Sequence, residues 1–183
     1  MRALVVIDYT VDFVVGSLPC GQPAIDIEKR IAALTQQFVE QGDFVVMAVD
    51  LHEVNDSCHP ESRLFPPHNI RGTEGRELYG KLKDVYEANA APILWMDKTR
   101  YSAFCGTELE LKLRERGITE LHLIGVCTDI CVLHTAVEAY NKGFRIFVHQ
   151  DAVASFNPEG HAWALGHFKQ TLGAELVENY KNG

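Results

Sequence analysis

No stretch of this chain is apolar for the ~18 residues that a membrane span needs, and basic residues are scarce. Lysine and arginine number 17 against 25 aspartates and glutamates, giving a formal net charge of −8. There is no Lys/Arg cluster, no basic stripe and no aromatic motif of the RNA-binding kind. Nucleic acid and membrane are therefore excluded as expected partners. Cysteine is sparse and odd in number: Cys20, Cys58, Cys105, Cys127 and Cys131. An odd set in a chain with no export signal makes a disulfide framework a poor expectation. CxxC is absent too, so a structural zinc knuckle or a thioredoxin-type pair has no support. The N-terminus enters a strand-like run, Arg2 to Ile7, where a secretory chain would carry a signal peptide. A cytoplasmic location is expected.

What is present is an ordinary globular composition. The 183 residues, 46% of them hydrophobic, suit one domain over 1–183 with a sizeable core. Short β-branched apolar runs alternate with helix-like segments. Strands are expected at Ala3 to Ile7, Asp43 to Val49, Pro92 to Met96, Glu120 to Gly125 and Phe144 to His149, with a short sixth at Ala174 to Val177. Between them the periodicity predicts helices over Ile25 to Gln41, Glu74 to Asn89, Gly106 to Arg116, Cys131 to Asn141 and Pro158 to Leu172. Asn55 to Gly72 is loop-like, rich in Pro, His and Asn, and longer than a usual connection. This alternation predicts an α/β fold: a doubly wound, three-layer α/β/α domain around a mainly parallel sheet of about six strands. In such sheets ligands bind outside the carboxyl ends of the strands.

Chemically interesting residues fall at those ends. Asp8 follows the first strand, Asp50 and His52 the second, Lys98 the third and Cys131 the fourth. Taken singly, Asp8 also reads as a turn cap, Lys98 as a surface lysine and Cys131 as a small buried hydrophobe. Together they read as an acid, an ammonium and a thiol converging on one cleft, a nucleophile with its base. Placed where a helix should start, Cys131 is expected to favour thiolate. His134, one turn further on, is a competing base, though it reads more readily as a packed helix histidine. Cys127 is assigned a backbone role, and Cys20, Cys58 and Cys105 none.

Asp50-Leu51-His52 places two donors on the same side of an extended chain. The loop at about 50–72 adds His59, Glu61 and His68. Imidazoles with carboxylates suit Zn, Fe or Mn better than Mg or Ca. Among the loop donors His68 ranks first, Glu61 second and His59 last.

Five segments carry a family likeness that covers essentially the whole chain: Ile7-Asp8-Tyr9-Thr10-Val11-Asp12-Phe13; Asp50-Leu51-His52; His59-Pro60-Glu61-Ser62 with Leu64-Phe65-Pro66-Pro67-His68; Asp97 to Phe104; and Gly125 to Cys131. The chain resembles the cysteine hydrolase superfamily that includes isochorismatase and nicotinamidase, and most of all the bacterial nicotinamidases, which also act as pyrazinamidases. The resemblance implies a catalytic triad of Asp8, Lys98 and Cys131. It implies one divalent metal, zinc before iron or manganese, on Asp50, His52 and His68. Glu61 is the fourth ligand, direct or through water, where many relatives carry histidine. A cis peptide before Cys127 is implied as well. So is a small-molecule substrate, nicotinamide, cleaved to nicotinic acid and ammonia in NAD salvage through a Cys131 thioester. In that reading Phe13, Phe65 and Tyr101 flank the ring, and the backbone N–H groups of Cys127 and Cys131 receive the oxyanion. By analogy the chain forms a homo-oligomer. The rival readings are another small-amide hydrolase of the same superfamily, a non-catalytic binding module, and thiol redox through Cys127 and Cys131.

Overall fold

Apolar β-branched residues on successive strands build the centre of the molecule. In the computed structural model, which describes residues 1–180, six strands form one sheet. They are β1 (Arg2–Ile7), β2 (Phe44–Asp50), β3 (Ile93–Lys98), β4 (Glu120–Val126), β5 (Arg145–Ala154) and β6 (Glu175–Val177). All neighbouring pairs are parallel, in the order β3-β2-β1-β4-β5-β6. The order reverses direction between β1 and β4, which puts the topological switch point there.

The strands are buried on both faces, as a parallel sheet requires. Ala3, Val5 and Ile7 look one way, with Val46, Leu121, Leu123 and Val148, onto Leu109, Ala136 and Phe168. Those three belong to α5 (Leu109–Glu115), α6 (Leu133–Asn141) and α7 (Pro158–Gln170). Leu4 and Val6 look the other way, with Val45, Met47 and Ile124, onto Ala24, Ile31, Leu34, Phe38 and Leu82. That layer comes from α2 (Gln22–Asp26), α3 (Glu28–Glu40) and α4 (Gly80–Ala88); a short α1 (Val11–Val14) follows β1. The expected three-layer α/β/α architecture is the one observed. The last three residues of the expected 1–183 domain lie outside the described residues. Among the described residues no helix is long and apolar enough to cross a membrane.

Several expected boundaries move, each for a local reason. The single helix over Ile25 to Gln41 is two helices. Pro23 opens α2, and Ile27, with ψ near −2°, ends it and caps α3. The helix expected over Glu74 to Asn89 shrinks to a 3₁₀ turn (Glu74–Arg76) and α4. The residues between are drawn into extended pairing, with Val11 N–H donating to Glu77 O and Tyr79 N–H to Tyr9 O. Thr107 ties a turn before α5, accepting from Leu109 N–H and donating to Ala103 O, so that helix starts later than its periodicity suggests. β5 runs five residues past His149, because its pairing with β4 steps from Leu123–Val148 to Gly125–Val153.

Gly125 lies at that step. Its φ is +116°, and a Cβ there would sit 2.0 Å from the carbonyl oxygen of Ile7. Only a residue without a side chain lets β4 pass so close to the end of β1. The next peptide, Val126–Cys127, is cis.

Candidate active site

The carboxyl ends of β1, β2, β3 and β4 bring the expected residues to one place. Lys98, the last residue of β3, is buried, and its Nζ lies 2.7 Å from Asp8 Oδ2, 3.5 Å from Asp50 Oδ1 and 3.7 Å from Cys131 Sγ. The ammonium also donates to Arg100 O at 3.1 Å. Asp8 has φ of +55°, an uncommon conformation for a residue with a side chain. Its N–H donates to Ala48 O, and its Oδ1 accepts from the N–H of Asp50 at 2.8 Å. One carboxylate therefore binds the end of β2 and faces the lysine.

Cys131 does not begin a helix. It sits in a π-helical turn, Thr128–Val132, and α6 starts at Leu133. It thus lies within the first turn of the helical run 128–141, and the expected thiolate bias is opposed by burial. Burial pushes the Cys131 thiol well above its ordinary range and outweighs the opposing pull of Lys98, while Asp8 and Asp50 add to the rise. Cys131 is therefore a thiol at rest, and a base would be needed to ionise it. Asp8 is suited to that task, because burial raises its carboxyl to about 6, against the pull of Lys98 and with help from Asp50. For Lys98 burial works downward, but Asp50 and Asp8 outweigh it and keep the amine charged. His134 is exposed, and its Nδ1 bonds Ile130 O at 2.8 Å.

Asp50, His52, Glu61 and His68 form a second group, all buried, each offering one ligand atom within 4.8 Å of the others. His52 Nε2 lies 2.8 Å from Asp50 Oδ2. His68 Nδ1 donates to Pro66 O, which leaves Nε2 facing the carboxylates. That nitrogen is buried without a hydrogen-bond partner, 3.6 Å from both Asp50 Oδ2 and Glu61 Oε2. Burial opposes a charge on the ring, but Asp50 and Glu61 outweigh it and raise His68 to about 10, so positive charge is favoured at this point. A buried imidazole nitrogen facing two carboxylates, its other nitrogen fixed by a carbonyl, fits a divalent cation in place of that proton. Two imidazoles and two carboxylates form a borderline donor set of the kind zinc accepts. Lys98 and the two imidazoles hold Asp50 ionised despite its burial.

His59 lies beside this group but outside it. Its Nε2 donates to Thr99 O at 2.7 Å and its Nδ1 accepts from Glu61 N–H, so both ring nitrogens are committed. It caps the 3₁₀ turn Pro60–Arg63, which carries Glu61. A parallel bridge pairs His52 with Ile70 and closes the base of the loop, with His52 N–H donating to Asn69 O and Arg71 N–H to His52 O.

Between thiol and donor cluster lies a narrow cavity of about 20 Å³, lined by Phe13, Leu18, Glu61, Phe65, Tyr101, Cys127, Ile130, Cys131 and Phe156. All three aromatic residues singled out in the sequence border it. Phe156, Leu18 and Ile130 were not singled out. Phe156 follows the carboxyl end of β5, so the strand-end rule could have flagged it; nothing local marks the other two. Two further residues escaped notice. Asp12 accepts from Asn69 N–H at 2.8 Å and from Ser17 N–H at 3.0 Å, fastening the residue after His68. Arg76 Nε donates to Asp50 O at 2.8 Å.

Fold and site together define a hydrolase of three-layer α/β/α architecture with a buried thiol. Residues 2–178 match the isochorismatase domain, and the chain belongs to the isochorismatase family. A Bacillus subtilis (strain 168) relative, named as an uncharacterized isochorismatase family protein PncA, is 63% identical over 97% of this chain and 99% of its own. The nicotinamidase/pyrazinamidase of Mycobacterium tuberculosis is 31% identical over 97% and 98%. Among solved structures, nicotinamidase/pyrazinamidase PncA from Bacillus subtilis superposes with a TM-score of 0.95, at 65% identity over 97% and 99% of the two chains. A pyrazinamidase of Pyrococcus horikoshii in complex with zinc reaches 0.86, at 28% identity over 97% and 98%.

Proposed function

We propose that this chain is a nicotinamidase that also hydrolyses pyrazinamide, a cysteine amidohydrolase carrying one divalent metal, zinc by its donor set. The observation that carries the reading is the Asp8–Lys98–Cys131 contact, set across an aromatic-walled cavity from four buried ligand atoms. A cation held by Asp50, His52, Glu61 and His68 would supply a Lewis-acidic position for the ring nitrogen of the substrate. Phe13, Phe65 and Tyr101 flank the ring and align the carboxamide with Cys131, an orientation effect worth ~7 kcal/mol or more when geometry is good.

Asp8 takes the thiol proton as Cys131 Sγ attacks the amide carbon. Lys98 stays charged and holds the Asp8 carboxylate in place. The backbone N–H groups of Cys127 and Cys131 receive the oxyanion, each such donor being worth ~3 kcal/mol. Asp8 passes its proton to the amide nitrogen, the C–N bond breaks, and ammonia leaves a thioester on Cys131. A water attacks that carbon and yields its proton to Asp8. The C–S bond then breaks, the sulfur recovers the proton from Asp8, and nicotinic acid departs.

The test is ammonia release from nicotinamide, with and without chelator, alongside elemental analysis. Stoichiometric metal and chelator-sensitive release are expected; full activity in metal-free protein would remove the metal from the proposal. Cys131→Ala should abolish turnover and keep its metal. Residual turnover in that variant near the parent rate would exclude the thioester.

A further inference from the structure

Cys20 and Cys127, 107 positions apart in sequence, meet in the core with their sulfurs 3.1 Å apart. Both are buried, at 4% and 6% exposure. Their surroundings differ in a useful way. Cys127 borders the cavity shared with Cys131, Phe13 and Tyr101. Cys20 lies behind it, its N–H bonded to Phe13 O at 2.8 Å. The two thiols thus join the two walls of that cavity, the α1 side carrying Phe13 and the β4 side carrying Ile130 and Cys131. The cavity proposed for the carboxamide also gives a small peroxide a path to Cys127.

We propose that Cys20 and Cys127 are an oxidation site, a dithiol that a small peroxide converts to a disulfide, stapling the cavity walls together and switching the enzyme off reversibly. The thiolate of Cys127, which faces the cavity, attacks a peroxide oxygen. The O–O bond breaks, a sulfenic acid forms, and the departing hydroxide takes the proton that Cys127 released on ionising and leaves as water. Cys20 then attacks the sulfenyl sulfur, the S–S bond forms, the S–O bond breaks, and a second water departs. Two thiols are oxidised by two electrons and one peroxide is reduced to two waters. The hydrogen bond with Cys20, and then burial, push the Cys127 thiol upward, which makes the first step slow and favours sustained over transient oxidant exposure. A disulfide needs ~2.05 Å between sulfurs, so closure shortens the gap by about an ångström and pulls on both walls. A shift of that size beside reacting atoms costs on the order of 10²-fold in rate. Cys131 is the rival partner for Cys127, and the two share the tryptic peptide Gly117 to Lys142.

The experiment treats the full-length protein with hydrogen peroxide, blocks remaining thiols and maps the peptides with fragmentation. A bond from Cys20 to Cys127 is expected, removed by dithiothreitol. Cys20→Ala should keep its basal activity, form no such bond, and instead hold a sulfenic acid at Cys127 that dimedone traps when the protein is unfolded in its presence. A bond from Cys127 to Cys131, or Cys131 as the sole oxidised thiol, would overturn the proposal. Turnover of nicotinamide should fall at least about tenfold in the cross-linked protein and return on reduction. Unchanged turnover with the bond in place would refute the switch. The effect on turnover rests on the amidase reading, whereas the bond mapping does not.

Discussion

His59 shows how much a side chain can do without touching a ligand. It spends one ring nitrogen on Thr99 O and the other on the N–H of Glu61, fixing the turn that aims Glu61 at His68. His59→Ala keeps every proposed ligand and should still weaken metal binding about 10- to 100-fold, read by competition with a chelating dye. An unchanged affinity would mean the loop holds Glu61 without it. The residues argued for catalysis were legible because chemistry and position coincide: Asp8, Lys98 and Cys131 each end or follow an apolar run. Their protonation was not. A thiol after a strand looks activated until its burial beside Asp8 and Asp50 is known, and burial there belongs to the assembled sheet. Cys20 carried no signal at all, since no local pattern links it to Cys127.

At the level of elements, strand positions follow from apolar runs alone, and the parallel order follows from the helices between them. What sequence periodicity misses is competition from distant backbone. The stretch after Arg76 has helical periodicity, but Val11 and Tyr9 pair with it and hold it extended. The junction of β1 and β4 depends on a single missing atom. Gly125→Ala would drive a methyl against Ile7 O and demand a left-handed φ of an L-residue. A loss of about 2–5 kcal/mol is expected, seen as a lower urea midpoint at unchanged slope. Because Ile7 leads directly into Asp8, turnover should fall by more than the population of folded protein does.

Across the whole molecule, the layer behind the sheet carries a titration of its own. His149 Nε2 and His122 Nδ1 lie 2.8 Å apart, and His122 Nε2 lies 3.1 Å from Glu120. The consistent arrangement is two neutral rings, His149 donating to His122 and His122 to Glu120. Burial, with the neighbouring His122, lowers His149 from 6.5 to about 3. Above pH 6.5 neither the folded nor the unfolded chain protonates this ring, and its contribution is fully present. Between 6.5 and about 3 only the unfolded chain takes up the proton, so stability falls with pH by up to about 1.4 kcal/mol per unit. Replacing the ring by His149→Phe should flatten that slope in urea titrations from pH 7.5 to 5. Equal slopes in parent and variant would show that the ring protonates in place.

The parallel clasp at His52, Asn69 and Arg71 uncouples the length of the loop from the sheet. Both termini of the 53–69 ribbon are gripped at one spot, leaving the sheet indifferent to how many residues hang between them. Changes of length confined to 53–58 would hang from that grip without moving the strand ends, whereas Glu61 and Phe65 further along line the cavity and tie the rest of the ribbon to it.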